Sequence, residues 1–136
     1  MAQGGCVCGN IRYSIEGDAV KKALCHCLDC RKISGSTYST NAIYQDSGFK
    51  VLQGTTKEHK KVADTGKEII SNFCGDCGST MWRVGNSFPG LIIIKVGTLD
   101  DVNALGNAKP DAELFAPQRV EWVAEVPNAA QLKGMS

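Results

Sequence analysis

Seven cysteines constrain this chain more than any other feature of it. They fall in three groups: Cys6 and Cys8, then Cys25, Cys27 and Cys30, then Cys74 and Cys77. Zinc takes four ligands in a tetrahedron, and closely spaced thiols are the usual way a chain supplies them. The two outer pairs together offer four thiolates, a closed set. The middle group, Cys25-His26-Cys27-Leu28-Asp29-Cys30, offers three and leaves a corner open. Closed zinc sites are structural, whereas open ones keep a position for water or a reactant. Other partitions exist, such as one outer pair completing the middle group, but each strands a pair. Scattered thiols acting as small apolar residues would not cluster at gaps of one or two residues. A disulfide framework fits poorly with an odd count, with pairs too close to bridge without strain, and with no recognisable secretory leader.

Closing a site between Cys6–Cys8 and Cys74–Cys77 would tie the amino terminus to the middle of the chain, a structural role in itself. At 136 residues with 43% hydrophobic content, the chain is expected to form one domain spanning 1–136 with a real core. Fifteen basic and fourteen acidic residues give a formal charge of +1. No basic stripe interleaved with aromatics suggests nucleic acid. The longest apolar run, Leu91-Ile92-Ile93-Ile94, is too short to cross a bilayer. A soluble, cytoplasmic, reducing setting is the expectation, and free thiolates suit it.

Turn residues recur every eight to twelve positions between β-favouring runs, the spacing of a mainly β chain. Strands are expected at Ile11–Ile15, Val20–Leu24, Ser36–Tyr44, Phe49–Leu52, Lys57–Ala63, Glu68–Phe73, Thr80–Val84 and Leu91–Val96. Shorter β-like pieces are expected at Leu114–Phe115 and Val120–Val123. Leu28–Ile33 reads as a helical turn ended by Gly35. Asp64-Thr65-Gly66 reads as a hairpin turn, and Asn128–Lys133 as a short helix. The glycines of Cys74-Gly75-Asp76-Cys77-Gly78 allow the backbone conformations of a thiolate knuckle.

By Cys25-His26-Cys27…Cys30-Arg31-Lys32…Gly35-Ser36 and Phe73-Cys74-Gly75-Asp76-Cys77-Gly78-Ser79, the chain resembles the glutathione-dependent formaldehyde-activating family, which includes centromere protein V. Gly5-Cys6-Val7-Cys8-Gly9, Gly97-Thr98-Leu99-Asp100-Asp101, Pro110, Phe115 and Trp122 extend the likeness over nearly the whole chain. The resemblance implies a β-tent zinc fold of several small antiparallel sheets with short helical turns. It implies a structural zinc on Cys6, Cys8, Cys74 and Cys77 and a catalytic zinc on Cys25, Cys27 and Cys30. The implied activity is that of a carbon–sulfur lyase, the reversible joining of formaldehyde to glutathione. Family members often carry a histidine two residues before the aromatic at Phe115, where this chain has Glu113. A carboxylate facing the pocket would repel those of glutathione. One alternative is therefore a different small-molecule substrate on the same scaffold; the other, a non-enzymatic zinc module, would need the middle site closed by His26 or another side chain.

Addition of a thiol to an aldehyde needs a thiolate and an activated carbonyl, and an open zinc serves either need. Three thiolates leave a divalent ion with a net charge of −1, which favours holding sulfur over generating hydroxide. His26 lies between two ligands and is expected to point away from the metal, into a supporting or surface role. His59, amid Lys57-Glu58-His59-Lys60-Lys61, reads as solvated. Asp29 and Asp76 read as turn caps. Arg31 and Lys32 follow the third thiol and are candidates for binding an anionic substrate, with Arg83 and Arg119 weaker ones. Among Trp82, Phe88, Phe115 and Trp122, core packing is the commoner use, and Phe88, in a loop, is the pocket candidate.

Overall fold

A computed structural model describes residues 1–63 and 66–135. In chain order the strands are β1 (Ala2–Gly5), β2 (Arg12–Ile15), β3 (Lys21–Cys25), β4 (Ser39–Gln45), β5 (Phe49–Gln53), β6 (Lys57–Val62), β7 (Glu68–Phe73), β8 (Thr80–Gly85), β9 (Leu91–Lys95), β10 (Ala112–Leu114) and β11 (Ala130–Gln131). Two short helices interrupt them, α1 (Leu28–Ser34) and α2 (Ala104–Asn107). The mainly β expectation holds. One sheet has the order β1-β2-β5, and a larger one runs β11-β10-β3-β4-β9-β8-β7-β6. Pairing is antiparallel except at β10, which runs parallel to both β3 and β11.

The core lies between the two sheets. Alternation places Tyr13 and Ile15 of β2 against Trp82 of β8 and Ile92 and Ile94 of β9, all buried. The rings of Tyr13 and Trp82 meet edge-on at 5.5 Å, and Phe49 packs on Trp82 at 4.7 Å. Tyr13 keeps its hydroxyl satisfied by a 2.7 Å bond with Thr98 Oγ1, as a buried phenol must. Cys6 and Cys74 belong to this same cluster, so the outer thiols are built into the core.

The large sheet curls. Four strands separate β3 from β6 in its order, yet Lys61 on β6 reaches Asp29 on α1, the helix that follows β3, at 2.5 Å. The sheet therefore folds over α1, with the core on its other face. At the β6 edge every residue is exposed and most are charged, which discourages pairing with another chain.

The ends of the chain differ from the sequence reading. Ala2–Gly5, for which no element is expected, is a strand, and Gly4 passes close to Tyr13: a β-carbon there would sit 2.6 Å from its hydroxyl oxygen. Val120–Val123 is a turn closed by Val123 N–H to the Val120 carbonyl at 2.9 Å, and Trp122 is 75% exposed rather than packed in the core. Within the expected helix at Asn128–Lys133, β11 forms instead, because Ala130 and Leu132 donate to the carbonyls of Asp111 and Glu113. Asp64 and Thr65 of the expected hairpin turn lie outside the described residues.

Candidate functional site

The outer thiols converge. Gly9 N–H bonds the Cys6 carbonyl at 3.1 Å and Gly78 N–H the Cys74 carbonyl at 2.8 Å, closing two similar turns. Both glycines have φ near +80°, 83° and 82°, a region costly for other residues. The two turns face each other and are laced by Asn10 Nδ2 to Asp76 Oδ2 at 2.9 Å and by Val7 N–H to Ser79 Oγ at 3.1 Å. All four Sγ atoms of Cys6, Cys8, Cys74 and Cys77 lie within 4.8 Å of one another. Cys6 and Cys8 are 3.5 Å apart at sulfur, and Cys8 and Cys74 3.7 Å. A zinc–sulfur bond of 2.3 Å gives a tetrahedral edge of about 3.8 Å, so the donor set fits a tetrahedral ion of that size.

The middle thiols form the second group. Cys25 ends β3, Cys27 is the N-cap of α1, and Cys30 lies in that helix's first turn with its N–H directed to Cys27 Sγ at 3.3 Å. Gly35, at φ 63°, ends the helix as expected. The three sulfurs lie within 4.8 Å of one another, and neither His26 nor any described carboxylate joins the set. This donor set also fits a thiophilic ion, and no fourth ligand joins it among the described residues.

Residues 1–118 match the family model described as glutathione-dependent formaldehyde-activating enzyme. The chain belongs to the glutathione-dependent formaldehyde-activating enzyme family. A crystal structure of a Rhodobacter sphaeroides protein shares the fold, with a TM-score of 0.64 at 21% identity over 79% of this chain and 96% of that one. The matched range of the formaldehyde-activating family ends at residue 118, so the tail described next lies beyond it.

That tail completes a buried polar network beside the trio. His26 is wholly buried, not on the surface, and its Nε2 donates to Glu113 Oε1 at 2.7 Å. Glu113 also accepts from Val126 N–H and Gln131 Nε2, both at 2.8 Å, and pairs with Arg119 at 3.3 Å. Burial alone would raise the Glu113 pKa, but bonds from Gln131, Val126, His26 and Arg119 outweigh it and hold it at about 2. The expectation that Glu113 faces the pocket is thereby corrected. Its charge is spent inside the protein and gives no reason to exclude a substrate with carboxylates. His26 Nδ1 is buried without a hydrogen-bond partner among the described residues, and Tyr38 stands edge-on to the ring at 5.5 Å.

The crowding of the three thiols splits their acidities. Cys25 and Cys27 stabilise the Cys30 thiolate and bring its pKa down to about 2, while Cys27 and Cys30 drive that of Cys25 up. In the outer set the Ser79 hydroxyl and N–H lower Cys77 to about 5. Sequence reading passed over Lys95, which sits 9% exposed at the end of β9 with its Nζ 2.7 Å from Asn41 Oδ1. Burial lowers its pKa, and the Cys30 thiolate opposes that loss of charge. A charged residue inside a run otherwise fit for burial was the available signal.

The remaining candidates divide. Arg31 is half-buried and donates to the Gln118 carbonyl, which pins α1 to the chain beyond β10. Lys32 is exposed on the last turn of α1. Arg119 is occupied by Glu113 and Gln131. Phe88 lies in the β8–β9 turn, before Leu91, which pairs with Gln45. Cys25 pairs with Ser39 at the other end of β4. Six residues of strand, about 20 Å, part them, so Phe88 is not brought to the trio. Phe115 does reach it: it packs on the cluster of Cys25, Cys30 and Leu114. Its φ is 52°, a conformation rare for an aromatic residue. It is held there by its N–H to the Gly134 carbonyl at 3.1 Å. A cavity of about 360 Å³ near Asp18, Tyr44, Leu99 and Asn107 contains no cysteine.

Proposed function

We propose that residues 1–136 act as one zinc-dependent domain that reversibly adds a thiol, glutathione foremost, to formaldehyde, a carbon–sulfur lyase working in the reducing cytoplasm. Cys6, Cys8, Cys74 and Cys77 hold the structural zinc. Cys25, Cys27 and Cys30 hold the catalytic one. The observation that carries the reading is that, among the described residues, no fourth ligand joins the trio, with His26 turned to Glu113 instead of to the sulfurs.

In the forward reaction the substrate sulfur forms a bond to the carbonyl carbon, the carbonyl π bond breaks, and the thiol proton ends on the new hydroxyl oxygen. A divalent ion held by Cys25, Cys27 and Cys30 would supply positive charge that favours an ionised substrate thiol. The protein's own contribution is positional. β3 and α1 aim three thiolates at one point, His26 and Glu113 brace the loop between them, and Lys95 offsets the residual negative charge. The reducing setting keeps the thiolates from oxidising.

Exchange spectroscopy by NMR, following ¹³C-formaldehyde and its glutathione adduct, tests this. The zinc-loaded protein is expected to accelerate exchange well beyond buffer. Exchange at the buffer rate with both zincs bound would remove the lyase reading.

A further inference from the structure

Register fixes which side chains share a face of the large sheet. Cys25 stands opposite Ser39, Asn41 opposite Lys95, Ile93 opposite Arg83, and Arg83 opposite Ser71. Directly paired residues point to the same side, as do residues two apart on one strand. The side turned away from the Tyr13–Trp82 core therefore carries, in a row, Cys25, Ser39, Asn41, Lys95, Arg83 and Ser71. This is the face over which the sheet curls around α1.

Lys95 and Arg83 are each 9% exposed. Lysine and arginine are seldom buried to that degree without an acidic partner. Among the described residues, neither has a carboxylate within salt-bridge distance. Lys95 Nζ meets only Asn41 Oδ1, and Arg83 Nε meets Ser71 Oγ at 3.0 Å. Asp29, the acid that overhangs this face, is already held by Lys61. With a divalent ion bound, three thiolates would leave a charge of −1, which Lys95 offsets, and the Arg83 guanidinium on the same face has no acidic partner among the described residues. Its fork of donors matches a carboxylate.

We infer that Arg83 receives a carboxylate of the thiol substrate while its sulfur occupies the open position of the trio, which makes Arg83 the residue that selects for carboxylated thiols. The inference rests on the proposed thiol-binding role of the trio. β3 and β8 are separated by β4 and β9, about 14 Å across the sheet, and Arg83 lies level with Ile43 while Cys25 lies level with Ser39, about 13 Å along it, so on a flat sheet the two backbones would stand roughly 19 Å apart. The arginine side chain covers part of that, so the span suits a thiol whose carboxylate lies many bonds from sulfur, as in a small peptide. Arg119 is already held by Glu113 and Gln131, whereas Arg31, on α1, donates to the Gln118 carbonyl and keeps its Nε buried without a partner among the described residues.

The test is calorimetric titration of the zinc-loaded protein with S-methylglutathione, whose carboxylates are intact and whose sulfur is capped, and with its diethyl ester. The free acid is expected to bind on the order of ten-fold more tightly than the ester. Arg83→Gln should abolish that preference, and Arg83→Lys should restore part of it. Cysteamine, a thiol without a carboxylate, should bind wild type and Arg83→Gln alike. Equal binding of acid and ester by the wild-type protein overturns the inference without any variant. So does Arg83→Gln that keeps the preference, or that loses cysteamine to the same extent. Catalysed exchange with ester-indifferent binding would sink the Arg83 assignment alone. Carboxylate-dependent binding without exchange would sink the lyase reading alone.

Discussion

Glu113 accepts a hydrogen bond from His26 Nε2 at 2.7 Å, across 87 residues of chain and with both side chains shut off from solvent. One end of this pair sits between Cys25 and Cys27, two thiols of the trio. The other gathers Val126, Gln131 and Arg119 from the tail. The loop that carries the trio is thus anchored by the last part of the chain.

Replacing Glu113 by Gln keeps the shape but leaves Arg119 without its counter-charge and mismatches the donors around it. Breaking one partner of a buried ionic network costs about 3 kcal/mol, measurable by urea unfolding at neutral pH. The pH dependence has a definite sign. The folded-state pKa, about 2, lies below the ordinary 4.5. The stabilisation is therefore complete above the ordinary value and is lost as pH falls toward 2. Glu113→Gln should lack that part of the acid slope.

Cys74→Ser and Cys30→Ser should behave differently although each removes one thiol. Cys74 lies in the main core and in the closed set, so its loss should abolish the cooperative unfolding transition seen by circular dichroism. Cys30 belongs to the open set. Cys30→Ser should remain folded and carry one zinc per chain instead of two, by elemental analysis. The opposite pattern would exchange the two roles.

Ile94 is fully buried among Tyr13, Trp82 and Ile92. Ile94→Ala should cost about 3 kcal/mol through lost transfer energy and the cavity left behind. Its zinc content should stay at two per chain, because no thiol moves.

Lys61 and Asp29 join the β6 edge to α1 at 2.5 Å, but their side chains are 54% and 40% exposed. Lys61→Ala should therefore cost less than about 0.5 kcal/mol, and less still at high salt. A larger cost in urea titration would mean that this pair, and not packing, holds the curled sheet over α1.

Much of the fold was legible because its signals are local. The strand at Glu68–Phe73 coincides with β7, and Leu28 to Gly35 carries its own cap and stop. The grouping of the thiols was legible from their close spacing, and the sulfurs converge as grouped, four and three. What escaped depends on distant pairing. Glu113 looked like a charge in the pocket because its four partners lie on other segments, up to 87 residues away. Arg83 and Lys95 gained their place only when the register set β8, β9 and β4 side by side. The tail at Ala130–Gln131 lacks strand-forming residues and is a strand only because β10 offers it an edge.

The division of seven thiols into a closed four and an open three is tested most directly by cobalt(II) substitution at both sites, with the visible d–d spectrum recorded as glutathione is added. The account predicts a spectrum that changes in the contribution of one ion and is lost from that site in Cys30→Ser, while the second contribution stays constant. A spectrum indifferent to glutathione, with both ions already four-coordinate through the protein, would contradict it.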